Sequence, residues 1–174
     1  MLVGQVQAAP GGEARVARMF ADNMVLQREM PVPVWGWVAP GTAVEIRFAG
    51  QTKQGTAGPD GRWQVVLDQL PASNEGRNLD IRIGDESFSI RNVLVGEVWI
   101  ASGQSNIDTS GPDEDTGLYP LYVSPKPETE LPEVRIMRHG LTRSSEPLAD
   151  LPEEAVTFQR GNTLWSNLWS TIRR

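Results

Sequence analysis

The 174-residue sequence contains no cysteine, so disulfides and thiolate metal sites are excluded, and the redox compartment is not legible. It also lacks a basic excess: 16 Lys and Arg stand against 22 Asp and Glu, a formal charge of −6. Nucleic-acid binding needs Lys and Arg gathered on one face, and no such cluster is present, so no nucleic-acid partner is expected. An acidic chain offers little to an anionic lipid surface, and no apolar run approaches the roughly 18 residues that span a bilayer, so no membrane partner is expected either. Histidine is nearly absent, with His139 alone. Hydrophobic residues make up 39% and charged residues 22%, proportions that suit a soluble, folded chain with a usable core.

The N-terminus, "MLVGQVQAAPGGEARVA", ends its first stretch in Ala8-Ala9, small residues of the kind found at signal cleavage sites. It has neither a charged n-region nor a true apolar h-region. Residues 1–19 are expected to form a disordered leader, with a signal remnant as the alternative.

From Phe20 to about Arg91 the pattern has period two and is broken by turns. Val44, Ile46 and Phe48 fall on one face of "AVEIRFA", and Pro59-Asp60-Gly61 is a strong turn between two further segments. Short alternating stretches with turns every eight to twelve residues predict an antiparallel β-sandwich over residues 20–91. Trp35, Trp37 and Trp63 suit either sugar stacking or a sandwich core, and the core is the expected role.

The character changes at "NVLVGEVWIASGQSNID". Val93 to Ala101 is continuously apolar except for Glu97, as in a strand buried on both faces of a parallel sheet. Such a strand predicts the start of an α/β domain over residues 92–174. A serine in a tight turn at its carboxyl end, Ser105, stands where a nucleophile can project above the sheet. Gly103 permits close approach of a substrate. If a helix starts after the turn, the Ser105 backbone N–H can stabilise an oxyanion. Asp108, Asp113, Glu114 and Asp115 lack EF-hand spacing and read as a solvated loop, so no metal is expected. "Val134-Arg135-Ile136-Met137-Arg138" predicts another short strand.

The stretch "VLVGEVWIASGQSN" resembles the first motif block of the sialate O-acetylesterase family, carbohydrate esterases among the SGNH (GDSL-like) hydrolases. The upstream "FADNMVLQREMPVPVWGWVAPGTAVEIRFAG" and "DGRWQVVLDQLPAS" resemble that family's N-terminal β-domain. The resemblance implies that Ser105 is the nucleophile and its backbone N–H part of the oxyanion hole. It implies an O-acetylated carbohydrate substrate, no cofactor, a flavodoxin-like fold for the second part, and a periplasmic or extracellular setting. The chain has Ile107 where the family usually has Met. His139 follows Ile136 at the place of the Asp in the family's Asp-x-x-His arrangement, so it does not match the catalytic base. The expectation is a truncated esterase, weakly active or inactive alone, with a second chain as a partner that completes the hydrolase domain. The alternative is a non-catalytic β-sandwich module that binds carbohydrate or a partner chain.

Overall fold

The computed structural model describes residues 13–100, 131–137, 148–151 and 158–161. Every regular element among them is a strand. The chain divides into two compact units, Met1–Glu97 with Arg135–Gln159, and Val98–Val134 with Arg160–Arg174.

The first unit contains two sheets around one core. One sheet has three strands in the order β1 (Arg15–Val16), β3 (Val32–Trp37), β6 (Arg62–Leu67). The other has five, in the order β2 (Val25–Gln27), β8 (Glu86–Gly96), β7 (Ser73–Ile83), β4 (Ala43–Phe48), β5 (Gln51–Thr56). The period-two pattern has a direct physical outcome. Val44, Ile46 and Phe48 are buried from β4, Leu79, Ile81 and Ile83 from β7, and Trp63, Val65 and Leu67 from β6. All of them belong to a single apolar cluster between the sheets. Burying each aliphatic side chain of this kind stabilises the fold by about 1.5–3 kcal/mol.

The expected sandwich is therefore present, with one departure from antiparallel pairing: β2 runs parallel to β8, with Val25, Leu26 and Gln27 opposite Leu94, Val95 and Gly96. The turn at Pro59-Asp60-Gly61 is also present. Gly61 adopts φ 76, a left-handed conformation that an L side chain rarely takes. Asp60 Oδ1 accepts the Arg62 N–H at 3.0 Å, and the chain crosses here from the five-stranded to the three-stranded sheet.

Two expectations need correction. Residues 14–19 do not belong to a disordered leader: Arg15–Val16 pairs with β3, and Ala14 and Ala17 are buried, because this segment covers one edge of the core. Val93 to Ala101 is not one strand. Val93, Leu94 and Val95 are the buried end of β8: Val93 and Val95 join the core cluster between the sheets, and Leu94, on the other face, is also buried. Regular structure stops at Gly96, and Val98, Trp99 and Ile100 are exposed, Ile100 at 94%. Outside the sandwich, β9 (Leu131–Met137) contains the strand expected near Val134, and it pairs with β10 (Phe158–Gly161). Residues 101–130, where the helix after Ser105 is expected, lie outside the described residues.

The three tryptophans separate. Trp63 is 1% exposed and is core. Trp35 and Trp37, two residues apart on β3, are partly buried and pack against the core cluster, so the core role holds for them in part. Gly36 between them is where the Trp63 indole comes in: a Cβ at Gly36 would lie 2.6 Å from Trp63 Cζ2 and would also meet the Arg15 carbonyl oxygen. Neither backbone nor a fully buried indole can give way cheaply. Gly36→Ala is expected to destabilise the sandwich by about 1–3 kcal/mol through overpacking, and urea unfolding followed by far-UV circular dichroism checks it. An unchanged midpoint would show that the Trp63 contact is not rigid.

Candidate functional site

The two sequence blocks that carry the family resemblance, around Met24 to Arg28 and Val93 to Glu97, lie side by side as the pair β2 and β8. Their junction is fastened at both ends. At the entry, Asn23 and Asn92 both have positive φ, 68 and 56, a conformation that Asn tolerates better than most residues. Asn92 Nδ2 donates to Asn23 Oδ1 at 2.6 Å, and the Asn23 N–H donates to the Arg91 carbonyl at 2.8 Å. Asp22 Oδ1 accepts the Arg91 N–H at 2.7 Å. Gly76, beside an irregularity in the β7–β8 register, leaves room for the Asn92 side chain, whose Oδ1 a Cβ there would strike.

At the exit, Glu97 is the first residue beyond β8. Arg28 Nε donates to Glu97 Oε1 at 2.6 Å, and Gln27 Nε2 donates to Glu97 Oε2 at 3.1 Å. The Arg28 N–H also donates to the Gly96 carbonyl at 3.0 Å. The one charge in the apolar run is thus held by both its oxygens, from the strand next to it. The Arg28 hydrogen bond, followed by that of Gln27, lowers the Glu97 carboxyl below the ordinary glutamate value. Glu97 and then Glu29 raise the Arg28 guanidinium in turn. Both side chains are well exposed, at 37% and 42%, so the clamp orients the chain more than it stabilises the fold.

This clamp stands eight residues before Ser105, the candidate nucleophile, in the sequence. Ser105, with Gly103, Gln104, Asn106 and Ile107, lies outside the described residues, as do His139 and the acids at 108 and 113–115. Gln27, Arg28, Asn23 and Asn92 were missed by sequence reasoning. The available signal was Glu97, a charge interrupting an apolar strand that must find a partner.

Elsewhere in the first unit, an open cleft of about 440 Å³ is lined by Arg15, Val16, Arg18, Phe20, Phe88, Ser89 and Ile90. Its arginines are engaged. Arg15 pairs with Asp150 at 2.8 Å, and Arg18 donates to the Leu151 carbonyl at 3.0 Å. The cleft holds no acid–base or nucleophilic set. Among the described residues no three His, Asp or Glu side chains gather as a metal site would require.

Over 178 residues the chain is 29% identical to a sialate O-acetylesterase of Mus musculus, covering 92% of this chain and 31% of that protein. It is 30% identical over 176 residues to a sialate O-acetylesterase of Rattus norvegicus, covering 87% of this chain and 29% of that protein. Among solved structures, a carbohydrate acetylesterase from Xanthomonas citri superposes with a TM-score of 0.51 at 37% identity, over 53% of this chain and 21% of its own. The chain spans less than a third of the length of the curated relatives it matches. No protein-family model matches it.

The clamp generates a prediction about pH. Because the folded-state value of Glu97 is depressed, its contribution is present above the unfolded glutamate value and is lost as pH falls through the folded one. A carboxyl-carbon NMR titration should place the Glu97 midpoint below that of an unpaired glutamate, and Arg28→Gln should move it back up. The same midpoint in both proteins would mean that the ion pair does not persist in solution.

Proposed function

The chain is a homologue of part of the sialate O-acetylesterases, and on that premise we propose that it is a component of a carbohydrate O-acetylesterase in which Ser105 is the nucleophile. The observation that carries this reading is the homology over most of the chain, with the sequence Gly103-Gln104-Ser105-Asn106 inside the matched span.

The chemistry follows from the residue type. A serine hydroxyl becomes a nucleophile only when a base takes its proton. Ser105 Oγ attacks the acetyl carbonyl carbon, and its proton passes to the base. The carbonyl oxygen gains the charge, and the Ser105 N–H donates to it. Collapse of the tetrahedral intermediate breaks the ester bond, protonates the sugar oxygen and leaves an acetyl-serine. Water activated by the same base then releases acetate. His139 lacks the Asp three residues before it and is not assigned as the base. The base and its orienting acid are assigned to the portion of the relatives that this chain does not match, on a longer polypeptide or a second chain.

In this reading, the sandwich from Arg15 to Gly96 is the β-domain, and the sequence after it begins an α/β, flavodoxin-like hydrolase domain. The setting is periplasmic or extracellular, where O-acetylated glycans are met.

Acetate release from an aryl acetate and from O-acetylated sialic acid, compared between this chain and Ser105→Ala, tests the proposal. Turnover that falls by about a thousandfold or more in the variant is expected if a base is present. Equal rates in the two proteins would leave Ser105 without a catalytic role in this chain.

A further inference from the structure

Core packing explains only part of the composition of the outer face of the three-stranded sheet: Trp35 and Trp37 pack against the core cluster, yet both stay partly exposed beside polar neighbours. Strand register places Pro33 opposite Val66, Trp35 opposite Gln64, and Trp37 opposite Arg62. Because Val34, Gly36, Trp63 and Val65 point inward, these six residues share the outward face. Pro33, Arg62, Gln64 and Val66 are exposed, Val66 at 44%, and the two indoles are partly exposed. Trp35 is steadied edge-on by Phe20, with ring centroids 4.8 Å apart. Trp37 is steadied by the Arg15 guanidinium, 3.9 Å from its ring centroid. Arg15 is in turn fixed by Asp150 at 2.8 Å.

A second observation concerns charge. Among the arginines of residues 13–100, the side chains of Arg15, Arg18, Arg28, Arg47, Arg77, Arg82 and Arg91 each have an acidic or carbonyl partner. The Arg62 side chain has none, and neither has the Gln64 amide. The unpaired arginine of this domain therefore stands beside two steadied indoles and a free amide, on a chain of net charge −6.

We propose that Trp35, Trp37, Gln64 and Arg62 form a binding surface for an acidic glycan, a role in which the proposed nucleophile Ser105 takes no part. The apolar C–H face of a pyranose stacks on an indole, which is amphipathic and already ordered, so little side-chain entropy is lost on binding. The Gln64 amide can donate to and accept from sugar hydroxyls. The Arg62 guanidinium presents paired N–H donors that match a carboxylate, such as that of a sialic or uronic acid. A protein partner is the less suitable occupant, because the centre of the face is polar and the rings are only partly exposed.

The test is isothermal titration of the full chain with 3′-sialyllactose and with lactose, neither of which carries an ester. Saturable binding of sialyllactose, tighter than lactose, is expected. Arg62→Ala should weaken sialyllactose by about tenfold or more, since a hydrogen-bonded charge pair is lost, and should leave lactose unchanged. Gln64→Ala should weaken both sugars. Trp35→Ala should abolish both, and thermal melting must show that it stays folded, because Trp35 packs on Phe20. The two surface variants keep the test decisive if it does not. No saturable binding by the wild type, or equal affinity in Arg62→Ala, overturns the proposal. Binding retained in Ser105→Ala, with or without ester hydrolysis in the wild type, separates this surface from the esterase reading.

Discussion

The parallel pairing of β2 with β8 is the constraint on which one edge of the five-stranded sheet depends. It joins residues almost 70 positions apart, as the separation of 69 between Arg28 and Glu97 illustrates. Three residues of strand are too few to hold such a pairing by ladder hydrogen bonds alone. Side chains complete it at both ends: the Asn23–Asn92 amide pair at the entry, and the Gln27–Arg28–Glu97 group at the exit. The positive φ values of Asn23 and Asn92 cost little for this residue type and bring the two amides within bonding distance. The β2–β8 pairing is thus held by side-chain chemistry and not only by the ladder.

A second constraint fixes the tryptophans. Trp63 fills the core by lying against Gly36, and strand alternation then assigns Trp35 and Trp37 to the opposite face. Core packing and surface chemistry on β3 are consequently one choice: a side chain at position 36 would push Trp63 out of the core. At the other edge, the Gln51 side chain imitates a backbone partner, accepting the Asp68 N–H at 2.8 Å and donating to the Asp68 carbonyl at 3.3 Å. Lys53 adds an ion pair to the Asp68 carboxylate at 2.6 Å. The two sheets are joined there without a disulfide, which the absence of cysteine demands.

Much of the sandwich was legible from period two. Val44, Ile46 and Phe48, read as one face of a strand, are buried together, and the Pro59-Asp60-Gly61 turn has the left-handed glycine that its sequence announces. The misreadings have physical causes. Period two does not reveal where a strand ends: the apolar run from Val93 to Ile100 reads as one strand, but β8 stops at Gly96, and only Val93 and Val95 of the run join the core cluster. Arg15 and Val16 pair through backbone atoms, which a short polar segment does not advertise. The core role of Trp63 depends on Gly36 of the neighbouring strand, a non-local fact. Of the candidate site, the serine block was recognisable as a motif, while the side chains that secure the strand leading to it, Gln27 and Arg28, are ordinary residues until the strand order is known.

The two proposed activities draw on opposite kinds of sequence information. Ser105 is assigned because a short string of residues matches a reaction that needs them, and the described structure contributes only the secured strand from which that string departs. The glycan surface has no motif and is assigned because a register places an unpaired arginine and a free amide beside two ordered rings. If both hold, the division of labour is physically sensible. Ester cleavage by a nucleophilic serine requires transition-state contacts at one carbonyl and gives little hold on a long polymer. A rigid sheet face on the same chain would supply that hold through stacking and one charge pair without taking part in the bond change.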